Sequence, residues 1–360
     1  MIKSTQTNIL IEERYQLCLL LYSIAKKTNK NILAKPCHIK GLFGEFLKTP
    51  LYTKIIDLPP YNGYTNVYNI VHNNTEQELY IDNDYLNIRN ISMFDNTNNT
   101  KTIRNVFNGR DIKQTSNILI HDNKAYIGLF DYTELDNPPW WYRIRNDDFG
   151  WGNPIIYVWN METNQKIVTL FGHYSVINCL AIYEDKLYSG SKDNTICVWN
   201  LETYEHITSL YAGCEIKCLT IHNNILYAGY KNDLIYVWNI DTYENIAFLG
   251  GHLDEVNCLT IYENKLYSGG DDYSICIWDI DTYKLLSILK GHSSSVNCLT
   301  IYENKLYSGS SDCAIRVWNI ETKENIATVI GHFNEVHHLT IHNKKLYSVS
   351  NDDAICVWKI

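Results

Sequence analysis

The chain copies itself about every forty residues, and this period limits its possible folds more than any other feature. Six tryptophans stand at positions 159, 199, 238, 278, 318 and 358, with spacings of 40, 39, 40, 40 and 40. The run from Val256 to Gly269 returns without a change as residues 296–309, and looser copies begin near residues 176 and 336. Each period holds four short runs rich in β-branched and aromatic residues, separated by Asn, Asp, Glu, Lys or Gly. In the unit that opens at Val296, these runs predict strands over 296–302, 305–310, 314–319 and 325–330. Four antiparallel strands in forty residues make one propeller blade. One blade cannot cover both its faces, so blades must stack around an axis and bury one another. The expected fold class is therefore all-β.

A second pattern rides on the first. Gly-His pairs recur at 172–173, 251–252, 291–292 and 331–332, a serine follows in the second predicted strand, and an aspartate follows in the next turn. With these residues the chain resembles the WD40-repeat family. The resemblance implies a buried hydrogen-bond network of His, Ser, Asp and Trp in each complete blade. The matching sets are His173/Ser189/Asp193/Trp199, His252/Ser268/Asp272/Trp278, His292/Ser308/Asp312/Trp318 and His332/Ser348/Asp352/Trp358. Such a set is chemically complete. The carboxylate accepts from an imidazole N–H, the imidazole can take the serine hydroxyl, and the serine oxygen accepts from the indole. His, Ser and Asp together also invite a catalytic-triad reading. Four copies, each tied to a repeat tryptophan, point to scaffolding instead. Two units depart from the pattern. The Trp238 unit has Cys214 after Gly213, Ala228 for Ser and Asn232 for Asp, and is two residues shorter before its first strand. The Trp159 unit lacks Gly-His, with Gly109-Arg110 in its place.

The last unit stops two residues after Trp358, so its fourth strand must come from upstream. Residues 51–58 have the right length and residue types, and are expected to pair with Ala354–Lys359. A worn unit between 66 and 107, with strands expected at 66–72, 77–81, 86–94 and 102–107 and Phe94-Asp95 in the Trp-Asp place, brings the count to seven blades. Six is the alternative count. The expected division is a helical extension over 1–50 and a propeller over 51–360. From about residue 60 the Asn-, Ile- and Tyr-rich text also resembles the WD-repeat portion of BTB/POZ–WD-repeat proteins of large DNA viruses of amoebae. The stretch upstream is too short for a BTB domain. This likeness implies a viral protein working inside the cell, in the host cytoplasm.

Charge and cysteine usage narrow the function. The formal net charge is −9, whereas phosphate-backbone affinity comes from clustered Lys and Arg. No nucleic-acid or membrane partner is expected. Cys179, Cys218, Cys258 and Cys298 share one repeat position, and Cys197, Cys276 and Cys356 share another. Repeat-matched cysteines read as small buried hydrophobes, in a reducing compartment. No metal, cofactor or catalytic residue is expected. The expected function is a non-catalytic protein–protein interaction scaffold or recognition subunit, built as a monomeric propeller with a protein partner. The alternatives are a substrate adaptor of a ubiquitin ligase, or a structural viral component. Two surfaces are candidates for binding. One is an insertion of about 22 residues between Gly128 and Ile155 with Trp140, Trp141, Tyr142, Arg143, Arg145 and Trp151, the residue types enriched at interface hot spots. The other is the channel mouth, where the family likeness puts Lys192, Lys231, Asp271, Ser311 and Asn351, each just before its repeat aspartate or its counterpart.

Overall fold

The computed structural model describes residues 52–57, 71–72, 77–82, 85–90, 100–103, 112–131, 153–163 and 165–360 except 353, with side chains over 118–129, 154–163, 165–352 and 355–360. The expected helical extension over 1–50 lies outside the described residues. So does the insertion with Trp140, Trp141, Tyr142, Arg143, Arg145 and Trp151.

The described strands form seven four-stranded antiparallel sheets. Six carry the repeat tryptophans and are the blades of an all-β propeller. In the Trp318 blade the strands are Val296–Tyr302, Lys305–Ser310, Ala314–Asn319 and Asn325–Ile330. The Trp358 blade takes its fourth strand from the far end of the chain. Tyr52–Asp57 pairs antiparallel with Ala354–Lys359, and Ile55 stands opposite Cys356. This pairing completes the last blade with a strand from the start of the chain and covers the edge that Ala354–Lys359 would otherwise expose, the usual aggregation hazard of a sheet. The remaining sheet consists of Val71–His72, Gln77–Asp82, Tyr85–Asn90 and Thr100–Ile103. Its third strand ends at Asn90, before the expected Phe94-Asp95 corner, which lies outside the described residues. The structure thus shows six blades and does not match the expected seven: this remaining sheet carries no repeat tryptophan, and its side chains are not among those described.

The sequence builds each blade the same way. First strands of successive blades lie side by side and line the axis. The second and third strands are buried almost throughout, as in Lys265–Gly270 and Ser274–Asp279, and so lack an alternating polar face. The fourth strand is the outer edge and alternates between exposed positions and half-buried or buried ones, as at Ser287 and Leu289. Blades meet through a repeated small-residue contact. A Cβ on Gly269 would stand 2.5 Å from Val296 Cγ1 of the next blade and 2.8 Å from Cys258 Sγ. Only glycine lets the blades approach this closely, and the cysteine fills what space remains. Gly190, Gly229 and Gly309 repeat the contact against Ile216, Val256 and Val336. Burial alone pushes the Cys218 thiol up to about 12, the behaviour of an inert packing group. In the Trp358 blade His338 stands in the cysteine place and Val349 in the glycine place, so both partners of the contact change together.

Candidate functional site

In the four blades with the full residue set, the geometry is nearly constant. His252 Nδ1 lies 2.9 Å from Asp272 Oδ2, and its Nε2 lies 2.7 Å from Ser268 Oγ. Trp278 donates to the same Ser268 oxygen at 2.8 Å. Asp272 also accepts the Leu253 amide, the Ser274 amide and the Ser274 hydroxyl. The carboxylate thus clamps the loop before the first strand to the turn between the second and third. The His–Asp distances in the Trp199, Trp318 and Trp358 blades are 2.9, 2.8 and 3.0 Å. The serine oxygens accept their indoles at 2.9, 2.8 and 2.8 Å.

The charge state is not uniform. Burial opposes charging of His252, but the Asp272 hydrogen bond and the neighbouring Cys276 sulfur outweigh it and hold the imidazole at about 9. His173 and His332, also buried, are held at about 10 by the sulfurs of Cys197 and Cys356 together with Asp193 and Asp352. A charged imidazole in these three blades would donate through both nitrogens, and the serine oxygen would accept from both His and Trp. His292 shifts the other way. Burial lowers it, Asp312 opposes that only in part, and Arg316 adds repulsion. Arg316 occupies the place held elsewhere by Cys197, Cys276 and Cys356. In that blade the neutral ring takes the Ser308 hydroxyl, the arrangement expected from sequence for all four.

These sets cannot act as nucleophiles. Ser189, Ser268, Ser308 and Ser348 are fully buried, at 0% exposure, and a nucleophile needs a cleft and an oxyanion site. Cys197 is drawn down to about 6, because His173, His206 and Ser209 outweigh the effect of burial. It is 1% exposed, so it cannot be reached either. Among the described residues no three His, Cys, Asp or Glu are grouped to hold a metal ion.

The accessible chemistry lies at one end of the blades, called the top here. Lys192, Lys231, Asp271, Ser311 and Asn351 occupy equivalent places. Their amides donate to the carbonyls of Val176, Glu215, Glu255, Ser295 and Glu335, at 2.8 to 3.1 Å. Each therefore sits beside the start of its blade's first strand. Lys192, Lys231 and Asn351 are exposed, and Asp271 and Ser311 half-buried. Asp271 accepts from Asn257 at 2.5 Å, and Ser311 from Asn297 at 2.9 Å.

Between the Trp238 and Trp278 blades lies an ion cluster that the sequence reading did not assemble. Lys217 Nζ is 2.8 Å from Glu255, and Lys231 Nζ is 3.3 Å from Glu255 and 3.9 Å from Glu215. In three other blades the Lys217 place holds an asparagine that bridges to the next blade's backbone. Asn178 donates to Ile216 O, Asn257 to Val296 O and Asn297 to Val336 O. The position ties one blade to the next in these four cases, whereas the Trp358 blade holds His337 there.

The comparisons with known proteins agree with this geometry. The family model described as WD domain, G-beta repeat matches residues 164–200, 243–279 and 283–319. The chain carries WD40 repeats on a β-propeller. Each WD40 match ends one residue beyond a repeat tryptophan. Among solved structures, the computationally designed Ika8 protein is similar at 22% identity and a TM-score of 0.61, covering 84% of this chain and 98% of that one. At that identity the likeness concerns the fold. A search of the curated proteins found no match.

Proposed function

We propose that the protein is a non-catalytic interaction scaffold or recognition subunit that works inside the cell and binds a protein partner with the top of its propeller. WD40 propellers generally mediate protein–protein interaction. The observation that carries the reading here is a division of labour within each complete blade. The His, Ser, Asp and Trp set is spent on holding the loop and turn rigid, while the residues beside it, Lys192, Lys231, Asp271, Ser311 and Asn351, differ from blade to blade. A rigid frame with variable positions around a channel mouth is what selective recognition requires. The insertion with Trp140, Trp141, Tyr142, Arg143, Arg145 and Trp151 is proposed as a second contact. The propeller is proposed to run over 51–360, closed by Tyr52–Asp57.

Affinity capture from cells tests the reading with three forms of the protein: the intact chain, Lys192→Glu with Lys231→Glu and Asp271→Lys, and Trp140→Ala with Trp141→Ala and Arg143→Ala. Circular dichroism checks folding of each. Partners lost with the first set of substitutions support the channel mouth, and partners lost with the second support the insertion. Identical partners from all three forms refute both surfaces.

A further inference from the structure

The top of the Trp278 blade differs from its neighbours in a way the repeat does not require. Leu253, in the loop before the first strand, is 87% exposed. Tyr273, in the turn between the second and third strands, is 48% exposed and adopts a φ of 66°. The equivalent turn positions hold Asn194, Asp233 and Cys313. Asn and Asp tolerate this left-handed region, and a bulky aromatic does not. Other tyrosines at positive φ, Tyr204, Tyr243 and Tyr283, lie in the opposite turns and pack against the core. Tyr273 instead stands exposed, and backbone strain of this kind collects at ligand clamps.

The backbone on which the two side chains stand is also fixed. Asp272 accepts the Leu253 amide at 3.0 Å and the Ser274 amide at 3.0 Å, so one carboxylate holds the backbone on both sides of the pair. Charge completes the patch. Asp254 and Asp271 flank it, and neither has an ion pair among the described residues. Asp254 accepts the Glu255 amide and Asp271 accepts Asn257. The two nearby lysines, Lys217 and Lys231, make their ion pairs with Glu255 and Glu215, and Asp271 acts on Lys217 only at longer range.

We propose that Leu253 and Tyr273, with Asp254 and Asp271, form a docking point for a protein segment that presents an apolar side chain next to a basic one. The apolar group covers Leu253 and the Tyr273 ring, and the Lys or Arg meets the two carboxylates. Preorganised apolar anchors beside unpaired charge give affinity and orientation together. This inference rests on the top-face reading above and narrows it to one blade.

The test pans the intact protein against a displayed library of random short peptides, then titrates synthetic copies of the selected sequences. Selected peptides should carry Lys or Arg beside Leu, Phe or Trp. Leu253→Ser and Tyr273→Asn should each weaken binding by about tenfold, in the range of an interface hot spot. Tyr273→Asn should also leave the melting temperature unchanged or higher, because Asn suits the left-handed turn. Lost binding in that variant therefore cannot be misfolding. Selected peptides that are acidic, or that bind both variants as tightly as the parent, overturn the docking point. If Lys192→Glu or Asn351→Lys abolishes their binding instead, the general top-face reading survives. Failure to select any peptide counts against both. Concentration-dependent dimerisation abolished by Leu253→Ser would assign the patch to a second copy of this chain and overturn the proposed partner.

Discussion

The Trp278 and Trp238 blades are neighbours with the same four strands, yet their interiors are held by different physics. In the Trp278 blade, His252, Ser268, Asp272 and Trp278 close a polar network, with Cys276 and Ser274 beside it. In the Trp238 blade, Ala228 replaces the serine, Leu234 stands in the place of Ser274, and Tyr230 and Tyr236 fill the space. Their rings lie 4.2 Å apart at 35°, and Tyr236 meets Phe248 edge-on at 4.6 Å. Asn232, in the aspartate place, donates to the Tyr236 hydroxyl at 3.1 Å. Exchange of the network for aromatic packing leaves a residue of unmet demand. Trp238 Nε1, Asn232 Oδ1 and the Tyr230 hydroxyl are buried without a hydrogen-bond partner. The Trp238 indole lies close to that hydroxyl without reaching hydrogen-bond geometry. The fold therefore does not need the network in every blade. It needs either a satisfied polar set or enough apolar volume, and the cost appears as orphaned polar atoms.

The sharpest way to break this comparison is to remove the shared acceptor. Ser268→Ala leaves His252 Nε2 and Trp278 Nε1 unpartnered in a fully buried site. A loss of about 2–3 kcal/mol is expected, since each orphaned buried group costs roughly 1–3 kcal/mol. Urea unfolding at pH 7 measures it. A loss below a few tenths of a kcal/mol would mean that the packing, not the network, holds the complete blades as well.

The reverse substitution sharpens the contrast. Ala228→Ser places a hydroxyl where the complete blades have one, next to Trp238 Nε1. A gain of about 1 kcal/mol is expected, the net worth of a typical internal hydrogen bond. Destabilisation would show that the Tyr230 and Tyr236 rings have closed the space an oxygen needs.

The third prediction concerns what ties the two blades together. Lys217 and Glu255 are 26% and 19% exposed, so their pair is partly shielded from solvent. Lys217→Met keeps the stem and removes the charge. A loss of about 0.5–1 kcal/mol is expected, at the upper end for ion pairs near the surface. The loss should shrink as salt is raised. A loss that is unchanged at high salt would show that the Lys217 stem contributes packing and the cluster contributes little.

The repeat made most of this fold legible. Glycine, cysteine and tryptophan recur in fixed register because blades meet through one repeated contact, so the strands of the Trp318 blade could be placed from the text alone. The polar sets were legible for the same reason. What the text concealed was inter-blade and non-repetitive. The Lys217–Glu255 tie joins residues of different units, and Leu253 and Tyr273 look like ordinary members of a loop and a turn. Their importance comes from exposure and from φ, which no residue pattern reports. Arg316 was visible as a departure from Cys197, Cys276 and Cys356, but its effect on His292 depends on a distance that only the fold supplies.

That last departure permits the finest test, in which stability changes little and the proton distribution changes clearly. His252 is held at about 9, above the ordinary imidazole value of 6.5. Its contribution to stability is therefore fully present below about pH 6.5 and is lost as the pH rises through 9. His292 is held below 6.5, so its contribution is present above that value and is lost as the pH falls. The two blades respond to pH with opposite sign. In a proton NMR titration the His252 ring should still be charged at pH 8, while the His292 ring should be neutral at pH 7. Arg316→Cys removes a cation near His292 and restores the residue that its three counterparts have, so the His292 midpoint should move upward. A His292 that titrates with His252 in the parent protein would show that Asp312 outweighs both burial and Arg316. The distinction drawn between charged and neutral networks would then fail, although the hydrogen-bonded geometry that the four blades share would stand.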